Sequence, residues 1–178
     1  MKYFDELKRS MEWIGSKENT IFIGQAVEVP GTAMFNTLKD IDKSKRVELP
    51  VFEDTQLGMS IGMSLAGKKV ISIFPRWNFL LCATNQLVSH LDKLPIISEG
   101  EVTPNILIRT AVGSQRPLFP GYQHIGNMSS AFKKMLSNVE IIELFEPKDI
   151  FPAYKKAFYR EDGKSTILVE FQDFYNEK

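Results

Sequence analysis

The chain has 178 residues, enough for one domain of the usual ~100–200 residues and for a sizeable core without disulfide or metal staples. Hydrophobic residues make up 43% and charged residues 25%, an ordinary globular composition that excludes disorder for the bulk of the chain. Lys plus Arg and Asp plus Glu each number 22, so no excess of positive charge points to nucleic acid or an anionic membrane.

Tyr3, Phe4, Leu7, Met11 and Ile14 fall at helical spacing between residues 2 and 15, and Gly15 supplies a stop. Thr20 to Gly24 reads as a buried strand, Gly31 to Leu38 as a short helix, and Arg46 to Leu49 as a weak strand ended by Pro50. Asp54 to Ala66 is a predicted helix closed by Gly67, Val70 to Phe74 a strand stopped by Pro75, and Asn78 to Leu91 a second strong helix. A strand follows at Asn105 to Arg109, a helix at Met128 to Leu136 and a strand at Val139 to Ile142. Pro147 opens a helix that runs to Tyr159, and Thr166 to Glu170 is the last strand.

Strands alternate with helices, and the strands are short continuous apolar runs. This pattern predicts an α/β fold with a parallel sheet of about six strands and helices on both faces. Ligands of such sheets sit beyond the carboxyl ends of the strands. The loops at 50–53, 75–79 and 110–127 follow strands and are rich in unusual residues.

Several chemistries lack their motifs. There is no Gly-x-x-x-x-Gly-Lys-Ser/Thr loop, no Gly-x-Gly-x-x-Gly after the first strand and no Gly-x-Ser-x-Gly elbow. No zinc spacing is present, and His90 and His124 are far apart in sequence. The lone Cys82 lies in an apolar run and is expected to be a small core residue in a reducing compartment. The early acids of Met1 to Arg9 do not form a secretory signal, and no apolar run approaches the roughly 18 residues of a membrane span. A cytoplasmic protein is the expectation.

The informative stretch runs from Pro50 to Gly62. Gly58 and Gly62 lie four apart on one face of a predicted helix, with Ser60, Ser64 and Ala66 adding small side chains. Each glycine costs roughly 1 kcal/mol against Ala in an exposed helix interior, so the face suits close approach of another backbone. That approach can be packing within the domain or a subunit interface. Glu53 precedes the helix; with Asp54 it can simply complement the helix dipole, or it can serve a site.

These residues resemble the pyrimidine-binding domain of thiamine-diphosphate enzymes, most closely the beta chain of pyruvate dehydrogenase and related 2-oxo acid dehydrogenases, and more distantly transketolase. The family pattern is Pro-x-x-Glu with Gly five and nine residues after the Glu, matched by Pro50, Glu53, Gly58 and Gly62. Ala66-Gly67 matches the family's helix end, and Trp77-Asn78-Phe79 its aromatic-Asn-Phe segment. Gln123-His124, and Arg109 with Gly113, resemble further family features, and the similarity runs over nearly the whole chain.

The resemblance implies thiamine diphosphate as cofactor. Glu53 would be the carboxylate that hydrogen-bonds the pyrimidine ring nitrogen, favouring the tautomer whose exocyclic nitrogen deprotonates the thiazolium carbon. Phe79 would pack on the aminopyrimidine, with Trp77 nearby, and His124 would bind substrate or handle a proton. For Trp77 and Phe79 the alternative is core packing, and for His124 a loop position without a role. His90 lies inside a predicted helix as a structural or surface residue. Arg76 departs from the usual family residue before the aromatic, and either meets an acidic or phosphorylated substrate or is simply solvated.

The family's diphosphate-binding signature, Gly-Asp-Gly followed by Asn, is absent; Glu161-Asp162-Gly163 is not that motif. No counterpart of the beta chains' C-terminal assembly domain is read in these residues, so the expectation is a stand-alone pyrimidine domain or a fragment. The expectation is a single pyrimidine-binding domain over residues 1–178, with magnesium and the diphosphate held by a separate partner chain in a homo- or hetero-oligomer. The loop from Ser114 to Tyr122 replaces a more Gly-rich family segment. The expected reaction is decarboxylation of a 2-oxo acid or ketol/acyl transfer on a small-molecule substrate. The alternative is a non-catalytic structural or regulatory assembly module derived from this domain.

Overall fold

Apolar runs at the predicted strand positions pair into one six-stranded sheet with order β2-β1-β3-β4-β6-β5, every neighbouring pair parallel. The strands are β1 (Thr20–Gly24), β2 (Arg46–Glu48), β3 (Lys69–Ile73), β4 (Ile106–Val112), β5 (Val139–Glu143) and β6 (Ser165–Phe171). The helices are α1 (Tyr3–Gly15), α2 (Ala33–Leu38), α3 (Glu53–Leu65), α4 (Trp77–Leu81), α5 (Leu94–Ile97), α6 (Ser129–Met135) and α7 (Pro147–Tyr159). The computed structural model describes residues 1–176. Among them, no helix is long and apolar enough to cross a membrane.

Successive strand residues point to opposite faces, and two cores result. Ile71, Leu107 and Leu168 face a core built with α1, α2 and α7, where Tyr3, Leu7, Met11 and Tyr154 are fully buried. Val70, Ile106, Ile108 and Ile167 face the other core, built with α3, α4 and α6. Burial of each such side chain contributes about 1.5–3 kcal/mol, and the two-sided burial explains why the strands read as continuous apolar runs.

The first core contains a charged centre. Arg109 and Glu170 are both fully buried and form a two-pronged ion pair, with Arg109 Nη2 donating to Glu170 Oε2 at 3.0 Å. Arg109 Nη1 donates to Thr37 Oγ1 at 2.7 Å, and the Tyr154 and Tyr175 hydroxyls donate to the Glu170 carboxylate. Burial disfavours the Arg109 charge, but Glu170 outweighs it and holds the guanidinium firmly protonated. Burial and the Glu170 charge together keep both tyrosines un-ionised. Arg109 is thus a structural member of α/β packing, tying β4 to β6, α2 and α7.

Two expectations are corrected. The helix expected over Asn78 to Leu91 breaks: α4 ends at Leu81, a turn follows, and Gln86–Leu91 is π-helical, with Asp92 N donating to Leu87 O at 3.0 Å. The widened stretch keeps Leu87 and Leu91 in the core and delivers the Asp92 carboxylate to the N–H groups of Ser137, Asn138 and Val139. Cys82, expected in the core, is exposed. It sits at the break after α4, where its neighbours Leu80 and Ala83 take the inward positions.

Candidate functional site

The chain leaves β1 in one direction to form β2 and returns past it to form β3 on the other side. The crevice beyond the carboxyl ends of β1 and β3 is the switch point at which open parallel sheets bind ligands. Its floor is drawn tight at Gly24, whose φ of +142° suits glycine; a Cβ there would lie 2.2 Å from Ile73 O and 2.6 Å from Gln56 Nε2. Gln56 on α3 donates from Nε2 to Ile73 O at 2.9 Å and to Ser72 Oγ at 3.2 Å, so the first turns of α3 are fastened to the end of β3. At the end of β2, the Glu48 carboxylate accepts hydrogen bonds from the N–H groups of Ala26, Val27 and Glu28 at 2.6–2.9 Å, which shapes the loop after β1.

Glu53 is the first residue of α3 and only 6% exposed; its carboxylate has no hydrogen bond or ion pair among the described residues, and its oxygens are not among the fully buried unpartnered atoms, so they reach solvent. Its neighbour Asp54 accepts from Gln86 Nε2 at 3.4 Å, linking the first turn of α3 to the stretch after α4. Trp77 opens α4 and is buried in the core, its ring stacked on Phe132 at 5.3 Å. Phe79, two residues on, is half-buried, and its ring lies 5.9 Å from the His124 imidazole at a tilt of 30°. The structure therefore brings Phe79 and His124 together and sets Trp77 behind them as support.

His124 is placed by its backbone. Its carbonyl accepts from Gly113 N at 3.2 Å, and a Cβ on Gly113 would lie 2.2 Å from that oxygen. Only glycine permits this approach of the loop after β4. The His124 Nδ1 is buried and has no hydrogen-bond partner among the described residues. His90, in contrast, is exposed on the π-helical stretch.

Beside Phe79 lies a cavity of about 520 Å³, bounded by the loops after β1, β3 and β4 and by the turn after β6. Phe79 and Arg76 are in its wall; Glu53, Trp77 and His124 are not. Of the other wall residues, Arg116 belongs to the Ser114 to Tyr122 loop already marked in the sequence as departing from the family, whereas nothing in the sequence marks Gln172. Gln172 follows β6 directly, but no local motif marks it as a neighbour of a residue 96 positions away.

Among the described residues, no backbone outside α3 packs against Gly58 or Gly62. The nearest atoms to a Cβ on Gly58 belong to the Gln86 side chain at 3.7 Å, and nothing lies within 4 Å of one on Gly62. Met59 and Leu65 on the same helix are exposed. Among the described residues, no group of three or more His, Cys, Asp or Glu is placed to hold a metal ion.

No protein-family model matches the chain. It is 26% identical to the pyruvate dehydrogenase E1 component subunit beta of Gracilaria tenuistipitata var. liui, over 98% of this chain and 54% of that protein. The Porphyra purpurea protein of the same name is 25% identical over 97% and 52% of the two chains. The chloroplastic subunit beta-3 of Arabidopsis thaliana is 27% identical over 74% of this chain and 31% of its own. The chain thus spans about half the length of the first two relatives. Among solved structures, a split gene transketolase described as an inactive beta4 tetramer superposes with a TM-score of 0.73 at 14% identity, covering 94% of this chain and 50% of the other. That likeness establishes the α/β fold.

Proposed function

We propose that this chain, which resembles the pyrimidine-binding domain of pyruvate dehydrogenase beta chains and has a transketolase-like fold, is the pyrimidine-binding subunit of a split thiamine-diphosphate-dependent enzyme. The reaction is decarboxylation of a 2-oxo acid or ketol/acyl transfer to or from a ketose. A separate chain carries the diphosphate and magnesium site.

The observation that carries this reading is the Glu53 carboxylate: sheltered at the carboxyl edge of the sheet, and without a protein partner. With no protein group bonded to it and its oxygens still open to solvent, the carboxylate is free to accept a hydrogen bond from a ligand at that edge or to donate one to it. The half-buried Phe79 ring offers an aromatic face of the kind a flat heterocycle packs against. These two residues suit the aminopyrimidine end of the cofactor.

When bound, thiamine diphosphate supplies a nucleophilic carbon that makes or breaks the bond next to a carbonyl. Glu53 would hydrogen-bond the pyrimidine ring nitrogen and so orient that ring. Phe79 would pack against the ring, with Trp77, stacked on Phe132, supporting it from the core. His124, fixed by Gly113, binds substrate or moves a proton through its imidazole. The reading is tested by thiamine-diphosphate binding and turnover in the assembled complex, comparing the native chain with Glu53→Gln.

The open Gly58/Gly62 face of α3 supports a second role in assembly, in which the small-residue helix packs on itself or on the partner chain. A purely non-catalytic module would bind partner chains equally well after Glu53→Gln and would show no cofactor dependence.

A further inference from the structure

Among the described residues that line the cavity beside Phe79, Arg76 and Arg116 are the charged ones. Arg76 is half-buried and braced: its Nε donates to Gln172 Oε1 at 3.3 Å, and Gln172 Nε2 donates in turn to Pro75 O at 3.2 Å. Its two terminal nitrogens have no hydrogen-bond or ion-pair partner among the described residues. Arg116, exposed on the loop after β4, likewise has no carboxylate partner among them; its backbone N–H is held by Asp173 at 3.1 Å. Burial lowers the pKa of Arg76, with Tyr175 acting in the opposite sense, but a guanidinium stays charged near neutral pH. A half-desolvated, positioned cation with a free fork is what planar oxyanion recognition requires.

We propose that this cavity binds the oxyanion end of a small molecule, a carboxylate or a phosphate, with Arg76 as the specificity-determining residue and Arg116 as a second cation. This rests on the reading of the Phe79 edge as the substrate side of the site, and extends it by naming the group recognised. The volume of about 520 Å³ lies within the range of small-ligand pockets, so the anion can arrive on a substrate. Because Phe79 is shared by this wall and by the proposed cofactor contact, a bound anion sets the substrate's position there: beside the reacting carbonyl if it is the carboxylate of a 2-oxo acid, at the far end if it is a sugar phosphate.

The test is a titration of the ¹⁵N-labelled full chain, at fixed ionic strength, with inorganic phosphate and separately with pyruvate, following the arginine Nε–H signals. The proposal expects a saturable shift of the Arg76 signal with at least one probe; the tighter probe tells phosphate from carboxylate recognition. Arg76→Gln weakens binding about tenfold or more, Arg76→Lys recovers part of it, and Gln172→Leu, which leaves the charge but removes the brace, weakens it as well. Spectral dispersion of each variant reports its folding. Shifts that never saturate, or an affinity unchanged in a folded Arg76→Gln chain, overturn the proposal. The titration contains neither cofactor nor partner chain, so its failure leaves the role of Glu53 standing, and failure of the Glu53 role leaves the anion site standing.

Discussion

The Phe79 ring and the His124 imidazole lie 5.9 Å apart, although 45 residues separate them in the chain. One is carried by α4 after β3, the other by the loop after β4, and adjacent parallel strands bring the two loops together. Phe79→Ala should weaken thiamine-diphosphate binding in the assembled complex by up to about tenfold, the worth of one aromatic contact. Calorimetric titration of cofactor into native and variant complexes measures this directly; equal affinities would remove Phe79 from the cofactor contact.

Gly113→Ala should displace the His124 loop. The added Cβ meets the His124 carbonyl at 2.2 Å, and backbone cannot give way as a flexible side chain does. The expected cost is about 1–3 kcal/mol, read as a lower urea midpoint, together with a turnover loss that exceeds the stability loss. Gly62→Ala is the contrast, since nothing lies within 4 Å of that position. In the isolated chain it should be neutral or stabilising by up to about 1 kcal/mol, and it should weaken assembly if the open face of α3 is an interface.

Breaking the Arg109–Glu170 pair from one side should cost about 3–5 kcal/mol, because the remaining charge is left in the core. Arg109→Met and Glu170→Gln each do this, and equilibrium denaturation reads the effect. Loss of less than about 1 kcal/mol in both would show that the pair is dispensable to packing.

Acid should destabilise the chain through carboxylates that the fold holds ionised. Arg160 hydrogen-bonded to Asp162 lowers that carboxyl to about 2, and Asp92 is lowered by Lys93 and by the N–H groups of Asn138 and Ser137 against the opposing effect of burial. Their folded pKa values lie below the unfolded ones, so the unfolded chain takes up these protons first. The stabilisation is present above the unfolded value of 3.8 and is lost as pH falls towards about 2. Melting temperatures across that range should fall, and Asp92→Asn should flatten part of the slope.

Much of the fold was legible because its signals are local. Every predicted strand forms, since parallel strands buried on both faces read as unbroken apolar runs. Glycine stops also held: Gly67 closes α3 with a φ of +85°. The break after Leu81 was not legible, because apolar spacing continues through it, and the Asp92 contacts that accompany the widened stretch are made to a loop 45 residues away. Cys82 misled for the same reason, an apolar neighbourhood in sequence that is a surface turn in space. Arg109 drew attention as a match to a family pattern, but only its pairing with Glu170, 61 residues on, explains its burial. The cavity is of this non-local kind too: Arg76 and Gln172 are 96 residues apart and meet only because β3, β4 and β6 are neighbours.

The most direct test of the account is to purify the full chain from its source cells with whatever chain accompanies it, and to measure thiamine-diphosphate-dependent turnover of 2-oxo acids and ketoses by the complex. The account predicts a stoichiometric partner bearing the diphosphate-binding motif, with turnover that needs magnesium. Glu53→Gln should leave assembly intact and lower turnover by about a hundredfold or more. A complex whose turnover is unchanged by Glu53→Gln, or a chain recovered without a partner and indifferent to the cofactor, would contradict it.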